Sequence, residues 1–293
     1  MKTILTLLFF LFQTSLFANK IDDLKSDIDV QKFLKKKVRN LKDFYVVSIE
    51  DLYISENGRK IADSLKVKTW EKVDFDNNGE TDLLVNGIWD GRNNLIAIMA
   101  NGNKFYFHSF NKGLITKQFF PKIETINNIT TLSLFEICEF CLEKELTNKK
   151  LIFKYGSFIE PNYNAKKYNI EKIEYSTTMC FGTCPVFKLM INSNKSITYI
   201  AEQYNDLQGE FNSIIKTEDY NSIIDLLNYI DFPSLKNNYE VNWTDDQACE
   251  LRITYNNGKT KIISDYGKIG TYGLIRIYNK MFRLRGIQDW NEK

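Results

Sequence analysis

Apolar positions along this chain follow two periods, and the switch between them divides it into elements. Ile21, Leu24, Ile28, Val30, Phe33, Leu34 and Val38 recur close to helical spacing with charges between them, which predicts a first helix over Ile21 to Leu41. From Phe44 the pattern changes to short β-branched and aromatic runs broken by Asn and Gly. Strands are expected at Tyr45 to Ile49, Thr69 to Val73, Asp82 to Val85, Leu95 to Met99 and Lys104 to Phe110. Asn101-Gly102 between the last two is a hairpin signal. Thr131 to Cys138 and Lys150 to Tyr155 read as further strands, and the polar, Pro-containing stretch Glu160 to Asn164 reads as a domain boundary.

The second half repeats the logic. Strands are expected at Lys172 to Ser176, Val186 to Ile191 and Ser196 to Ala201. A helix then runs over Thr217 to Ile230, with Thr217 as its N-cap and Phe232-Pro233 as its stop. Glu250 to Tyr255 and Lys259 to Ser264 flank Asn256-Asn257-Gly258 as a second hairpin, and a last helix covers Tyr272 to Arg285. Hairpins rather than repeated βαβ units imply an α+β fold of two domains, mainly antiparallel sheet with a few packed helices. A chain of 293 residues has room for two domains at roughly 100–200 residues each.

Residues 1–18 stand apart from this pattern. Met1-Lys2, the apolar run Ile4 to Phe12 and the close at Ser15-Leu16-Phe17-Ala18 have the layout of a secretory signal peptide cleaved after Ala18. The run is shorter than the ~20 apolar residues a membrane span needs, and no second such run follows. The expectation is therefore a signal peptide at 1–18, a β-rich domain at 19–163 and an α+β domain at 164–293, exported to the periplasm, cell surface or medium, with no transmembrane segment once the signal is removed. A net charge of +2 without a basic block beyond Lys35-Lys36-Lys37 gives no footprint for nucleic acid.

Export decides how the five cysteines read, because closely spaced pairs become disulfides in an oxidising compartment. Cys180/Cys184 and Cys138/Cys141 are the expected pairs, with Cys249 left odd. The turn Cys180-Phe181-Gly182-Thr183-Cys184-Pro185 lacks the helix N-terminus that lowers a redox thiol's pKa. Acidic Glu136, Glu139 and Glu143 around Cys138/Cys141 would raise a thiol pKa. Staples are favoured at both places over thiol–disulfide exchange or a metal centre. Phe181 at the tip is the natural anchor for a protein or glycan partner, although a ring in this position is expected to fold back into the core.

Asp74-Phe75-Asp76-Asn77-Asn78-Gly79-Glu80-Thr81-Asp82 is the other chemistry-bearing run. Asp74, Asp76, Asn78, Glu80 and Asp82 supply closely spaced oxygen-bearing side chains, with Gly79 where the chain must turn, as in calcium loops. Val85 stands where an EF-hand carries a bidentate Glu, and the flanks are strand-like, so the run resembles dockerin and integrin-repeat loops. A structural calcium ion is expected, with a metal-free Asx/Gly turn as the alternative.

Enzyme readings have less to stand on. The single His108 lies in an alternating strand, no Gly-x-Ser-x-Gly elbow occurs, and Gly267-Lys268-Ile269-Gly270 is too short for a phosphate loop. The competing class is an envelope thiol–disulfide oxidoreductase using Cys180/Cys184, or a hydrolase using carboxylates such as Asp245/Asp246 or Glu136/Glu139.

Ile173-Glu174-Tyr175, Cys180 to Leu189, Gly209-Glu210-Phe211, Thr244-Asp245 and Asp265-Tyr266-Gly267 together resemble an uncharacterised domain family. That family occurs in exported proteins of Gram-negative bacteria and carries a Cys-Phe-Gly-x-Cys-Pro signature. The resemblance covers about Tyr168 to Trp290 and implies membership without implying a reaction. Asp74 to Val85 is similar to N-terminal regions that accompany such domains.

Overall fold

A computed structural model describes residues 19–112, 117–138 and 146–293. The fold is α+β, with mostly antiparallel strands in three sheets. Among the described residues no helix is long and apolar enough to cross a membrane.

The first sheet holds β1 (Tyr45–Val46), β2 (Trp70–Val73), β3 (Asp82–Trp89), β4 (Arg92–Asn101) and β5 (Lys104–Ser109), with β1 and β2 both pairing β3. Helix α1 (Asp27–Lys37) lays Val30, Phe33 and Leu34 on one face of it, against Leu83, Val85, Ile96 and Ile98. The second sheet is β6 (Lys117–Ile126), β7 (Ile129–Cys138), β8 (Leu146–Lys154) and β9 (Ser157–Ile159). Its Phe119, Leu132, Leu134 and Leu151 meet Leu84, Leu95, Ala97 and Met99 from the opposite face of the first sheet. Central β3 and β4 are thus buried on both sides, which is why they read as continuous apolar runs rather than alternations. On the outer face of the second sheet, Phe120 and Ile137 take Ala62 of α2 (Glu56–Leu65), while Ile152 and Ile159 join the core of the third sheet.

The third sheet has eight strands. β10 (Ile170–Thr177), β11 (Phe187–Asn192), β12 (Ser196–Ala201) and β13 (Gly209–Ile214) form a meander. β14 (Asn238–Glu240), β15 (Ala248–Tyr255), β16 (Lys259–Tyr266) and β17 (Asn291–Glu292) complete the order β14-β16-β15-β10-β11-β12-β13-β17. Only β14 and β16 run parallel. Helices α3 (Thr217–Tyr229) and α4 (Tyr272–Ile287) cover one face, so burial alternates along β12 and along β10 from Ile173 onward, after a register shift between Ile170 and Lys172. Leu226, Leu227, Ile277, Tyr278 and Met281 pack there on Tyr175, Phe187, Leu189, Leu251 and Ile253.

Several boundaries differ from the sequence pattern. Helix α1 starts only at Asp27, because Ser26 accepts from the Asp29 amide as N-cap, and Ile28 on the expected stripe is 65% exposed. α3 has Lys216 as its N-cap, without a side-chain bond, and Thr217 is its first residue. β1 stops at Val46, followed by a 3-10 turn at Ile49–Asp51. α2, β6 and β13 were not apparent in the pattern.

Candidate functional site

The acidic loop links β2 to β3. Asn77 and Gly79 both adopt positive φ, 56° and 82°, and this reverses the chain within the run. Carboxylate oxygens of Asp74, Asp76 and Asp82 all lie within 4.8 Å of one another. The loop holds itself in this shape: Asp74 accepts from the amides of Asn78 (3.2 Å) and Gly79 (2.9 Å), and Asp82 accepts from Phe75 N (2.9 Å) and Ala100 N (2.8 Å). Asp82 is fully buried. Burial first, then the carboxylates of Asp76 and Asp74, push it up to about 7. Burial and Asp74 also push Asp76 up.

Two of the five expected ligand side chains are turned elsewhere. Asn78 Oδ1 accepts from Glu80 N (2.7 Å), and its Nδ2 donates to Ala100 O (3.0 Å). The Glu80 carboxylate accepts from Gly102 N at 2.8 Å, at the β4–β5 turn. The three aspartates that do converge offer hard, anionic oxygens on a preformed loop, a donor set that fits calcium. A dication would offset the mutual repulsion that adds to burial in raising Asp76 and Asp82.

At the far end of the third sheet the second motif forms its staple. Cys180 and Cys184 are disulfide-bonded with Cα atoms 5.8 Å apart. The turn is also fixed by hydrogen bonds. Phe181 N donates to Asp245 O (3.0 Å), Thr177 Oγ1 donates to Pro185 O (2.8 Å), and Thr177 Oγ1 accepts from Phe187 N (3.2 Å). Gln247 Nε2 donates to both Thr178 O and Pro185 O, each at 2.8 Å, so one buried amide ties the two ends of the turn together. Lys268 Nζ donates in turn to Gln247 Oε1. No sequence pattern marked Gln247, and Lys268 stood out only within the short Gly267 to Gly270 run, because their roles depend on β15 arriving beside β10 with β16 next to it.

Phe181 does not fold back. It is 88% exposed, and Met179 beside it is 63% exposed. The space under the turn is taken by Gln247, and the Phe181 amide is held by Asp245, which leaves the ring outside. Cys141 lies outside the described residues, so the expected pair Cys138/Cys141 is not described; Cys138 ends β7. Cys249 is a free, buried thiol, and burial pushes it up to about 12, with Asp265 adding to the rise.

Three of the residues weighed for catalysis are committed elsewhere, whereas Asp245 is exposed and Glu139 lies outside the described residues. His108 packs edge-on to Phe153 and Phe158, and burial, followed by the Arg276 charge, lowers it to about 4. Glu136 is buried between Lys117 and Lys149. Asp246 accepts from Gln247 N and Trp243 Nε1. The N-terminus of α4, the one place a phosphate could sit after Gly270, is closed by Thr271 Oγ1 on Leu274 N (3.1 Å) and by the Glu160 carboxylate on Tyr272 N and Gly273 N. Cys184 leads through Pro185 into a strand, so no helix dipole acts on either sulfur.

A domain of unknown function (DUF6438) is found at residues 171–285, from the start of the meander to the last turn of α4. No curated protein matches the chain. No solved structure matches it.

Proposed function

We propose that this is an exported, two-domain binding protein whose contact point is the stapled turn at Cys180–Cys184. The observation that carries the reading is Phe181, a large apolar side chain held in solvent on a turn that is covalently closed and tied to Asp245. A turn whose backbone is fixed before contact loses little ordering entropy on binding, and a few aromatic anchors buried on contact carry much of an interface's energy. The partner is a protein or glycan of the envelope or cell surface. In the N-terminal region a calcium ion on Asp74, Asp76 and Asp82 has a structural role, locking β2 to β3.

The test is co-sedimentation of the purified mature chain with cell envelopes, comparing wild type with Phe181→Ala at equal melting temperature. Sedimentation of the wild type that drops severalfold in the variant supports the reading. Equal sedimentation of the two, or none by either, counts against it.

A further inference from the structure

Three loops meet at the end of the third sheet that carries Phe181, and together they make a surface with a definite chemistry. Residues 178–186 are joined to the 241–248 segment by Thr178 N to Ala248 O and Phe181 N to Asp245 O, both 3.0 Å. They are joined to the 202–208 loop by Val186 N to Gln203 O (2.8 Å), Glu202 N to Val186 O (3.0 Å) and Asn205 Nδ2 to Val186 O (2.7 Å). The 202–208 loop adds two exposed apolar side chains to Met179 and Phe181, namely Tyr204 at 55% and Leu207 at 37%.

The charges on these loops have one sign. Glu202, Asp206 and Asp245 are exposed. Among the described residues none of the three is in an ion pair. Two cations of this end, Lys268 and Arg285, are turned inward, while Lys188, the second residue of β11, is exposed. Lys268 donates to Gln247 and lies 4.5 Å from the Phe282 ring centroid; Arg285 donates to Asn205 Oδ1 (2.8 Å) and stacks 4.6 Å from the Phe187 ring centroid. Uncompensated carboxylates around apolar side chains on hydrogen-bonded loops are the complement of a basic segment with apolar side chains. Charges of this sort at a rim set encounter rate and partner choice more than raw affinity. An acidic rim would repel an anionic lipid surface, whose own potential attracts basic segments.

We infer that this surface docks a Lys/Arg-bearing, apolar-tipped segment of a partner protein, Phe181 and Met179 supplying the apolar contact and Glu202, Asp206 and Asp245 the charge. The inference rests on the binding reading of Phe181 and adds the partner's chemistry to it. The experiment places a photo-crosslinking phenylalanine analogue at position 181 of the full chain in the cells that make it, then maps the crosslinked peptide by mass spectrometry. The expected adduct is a protein segment with an excess of Lys and Arg. Its yield should fall about fivefold or more in a Glu202→Lys, Asp206→Lys, Asp245→Lys variant, and on moving from about 50 to about 500 mM salt. A variant with Gln and Asn at those three positions, intermediate in yield and equal to wild type in melting temperature, separates charge from misfolding. An adduct to a neutral or acidic segment or to a glycan, or a yield indifferent to charge reversal, overturns the inference while leaving Phe181 a contact point. Absence of any adduct overturns both.

Discussion

The carboxylate of Glu160 closes the N-terminus of α4 from 112 residues away, accepting from Tyr272 N at 2.8 Å and from Gly273 N at 3.0 Å. Glu160 follows directly on β9, so a residue of the segment between the second and third sheets satisfies amide groups that a helix leaves unpaired. The anion also sits at the positive end of the helix dipole. Beside it Lys112 donates to Gly270 O (2.8 Å), Tyr272 OH donates to Phe110 O, and Arg276 Nε donates to Tyr155 O (3.0 Å). The start of α4 is therefore one place where the two halves of the chain are joined, beside the packing of Ile152 and Ile159 into the core of the third sheet.

Glu160→Ala should cost about 1–2 kcal/mol of stability, the range of a lost helix cap with its dipole contribution. Glu160→Gln, which keeps an acceptor but not the charge, should lose less. Urea denaturation of both variants checks this; equal, negligible losses would show that α4 is held without its cap.

Lys112 gives the same junction a pH dependence. Its ammonium lies 3.6 Å from the Tyr272 ring centroid, with Lys149, Lys117, Glu136 and Glu160 as the other charges facing it. Burial, then the Lys149 charge, lowers it from 10.5 to about 7. Between those values the unfolded chain holds more protons than the folded one, so stability should rise as pH increases from about 7 towards 10. The contribution is on the order of a few kcal/mol at most. Lys280, lowered to about 8 by burial, acts in the same direction. The specific measurement is therefore the difference between wild type and Lys112→Met: the variant should show a flatter rise in melting temperature between pH 7 and 9.5. Parallel curves would remove Lys112 from the account.

What the sequence showed and what it hid follow from where each element lies. β10, β12 and the β15–β16 hairpin were legible because the third sheet is covered on one face only, so its strands alternate. α2 was hidden by Gly58, a poor helix residue, where a Cβ would come within 2.2 Å of Gln118 Oε1 and displace that side chain. β6 was hidden by Pro121, tolerated because β6 is an edge strand paired only with β7. Asp74, Asp76 and Asp82 were legible as a cluster because they share one short loop. The outward Phe181 was not, since its position depends on Gln247 and Asp245, more than sixty residues further on.

Calcium should raise the melting temperature of the chelator-treated protein, and Asp76→Ala should abolish the rise. At a concentration about a hundredfold above Kd the gain is ~2.7 kcal/mol. Magnesium, which demands a tighter octahedral shell, should shift it less. A melting temperature unaffected by either calcium or chelator would leave Asp74 to Asp82 as a self-bonded turn.

The last prediction separates staple from redox site. A thiol probe applied to the folded protein should label none of Cys180, Cys184 and Cys249: the first two are bonded to each other, and the third is buried with its thiol pushed up to about 12. After denaturation without reductant, Cys249 alone of these three should react. Replacing Cys180 and Cys184 by Ser should cost about 1–2 kcal/mol, the loop-closure value for so short a ring. It should leave the sheet intact, because Gln247 and Thr177 still hold the ends of the turn. The freed tip would then lose order around Phe181, and envelope binding should weaken more than stability does. Ready labelling of Cys180 or Cys184 in the native protein would reverse this account and favour thiol–disulfide exchange.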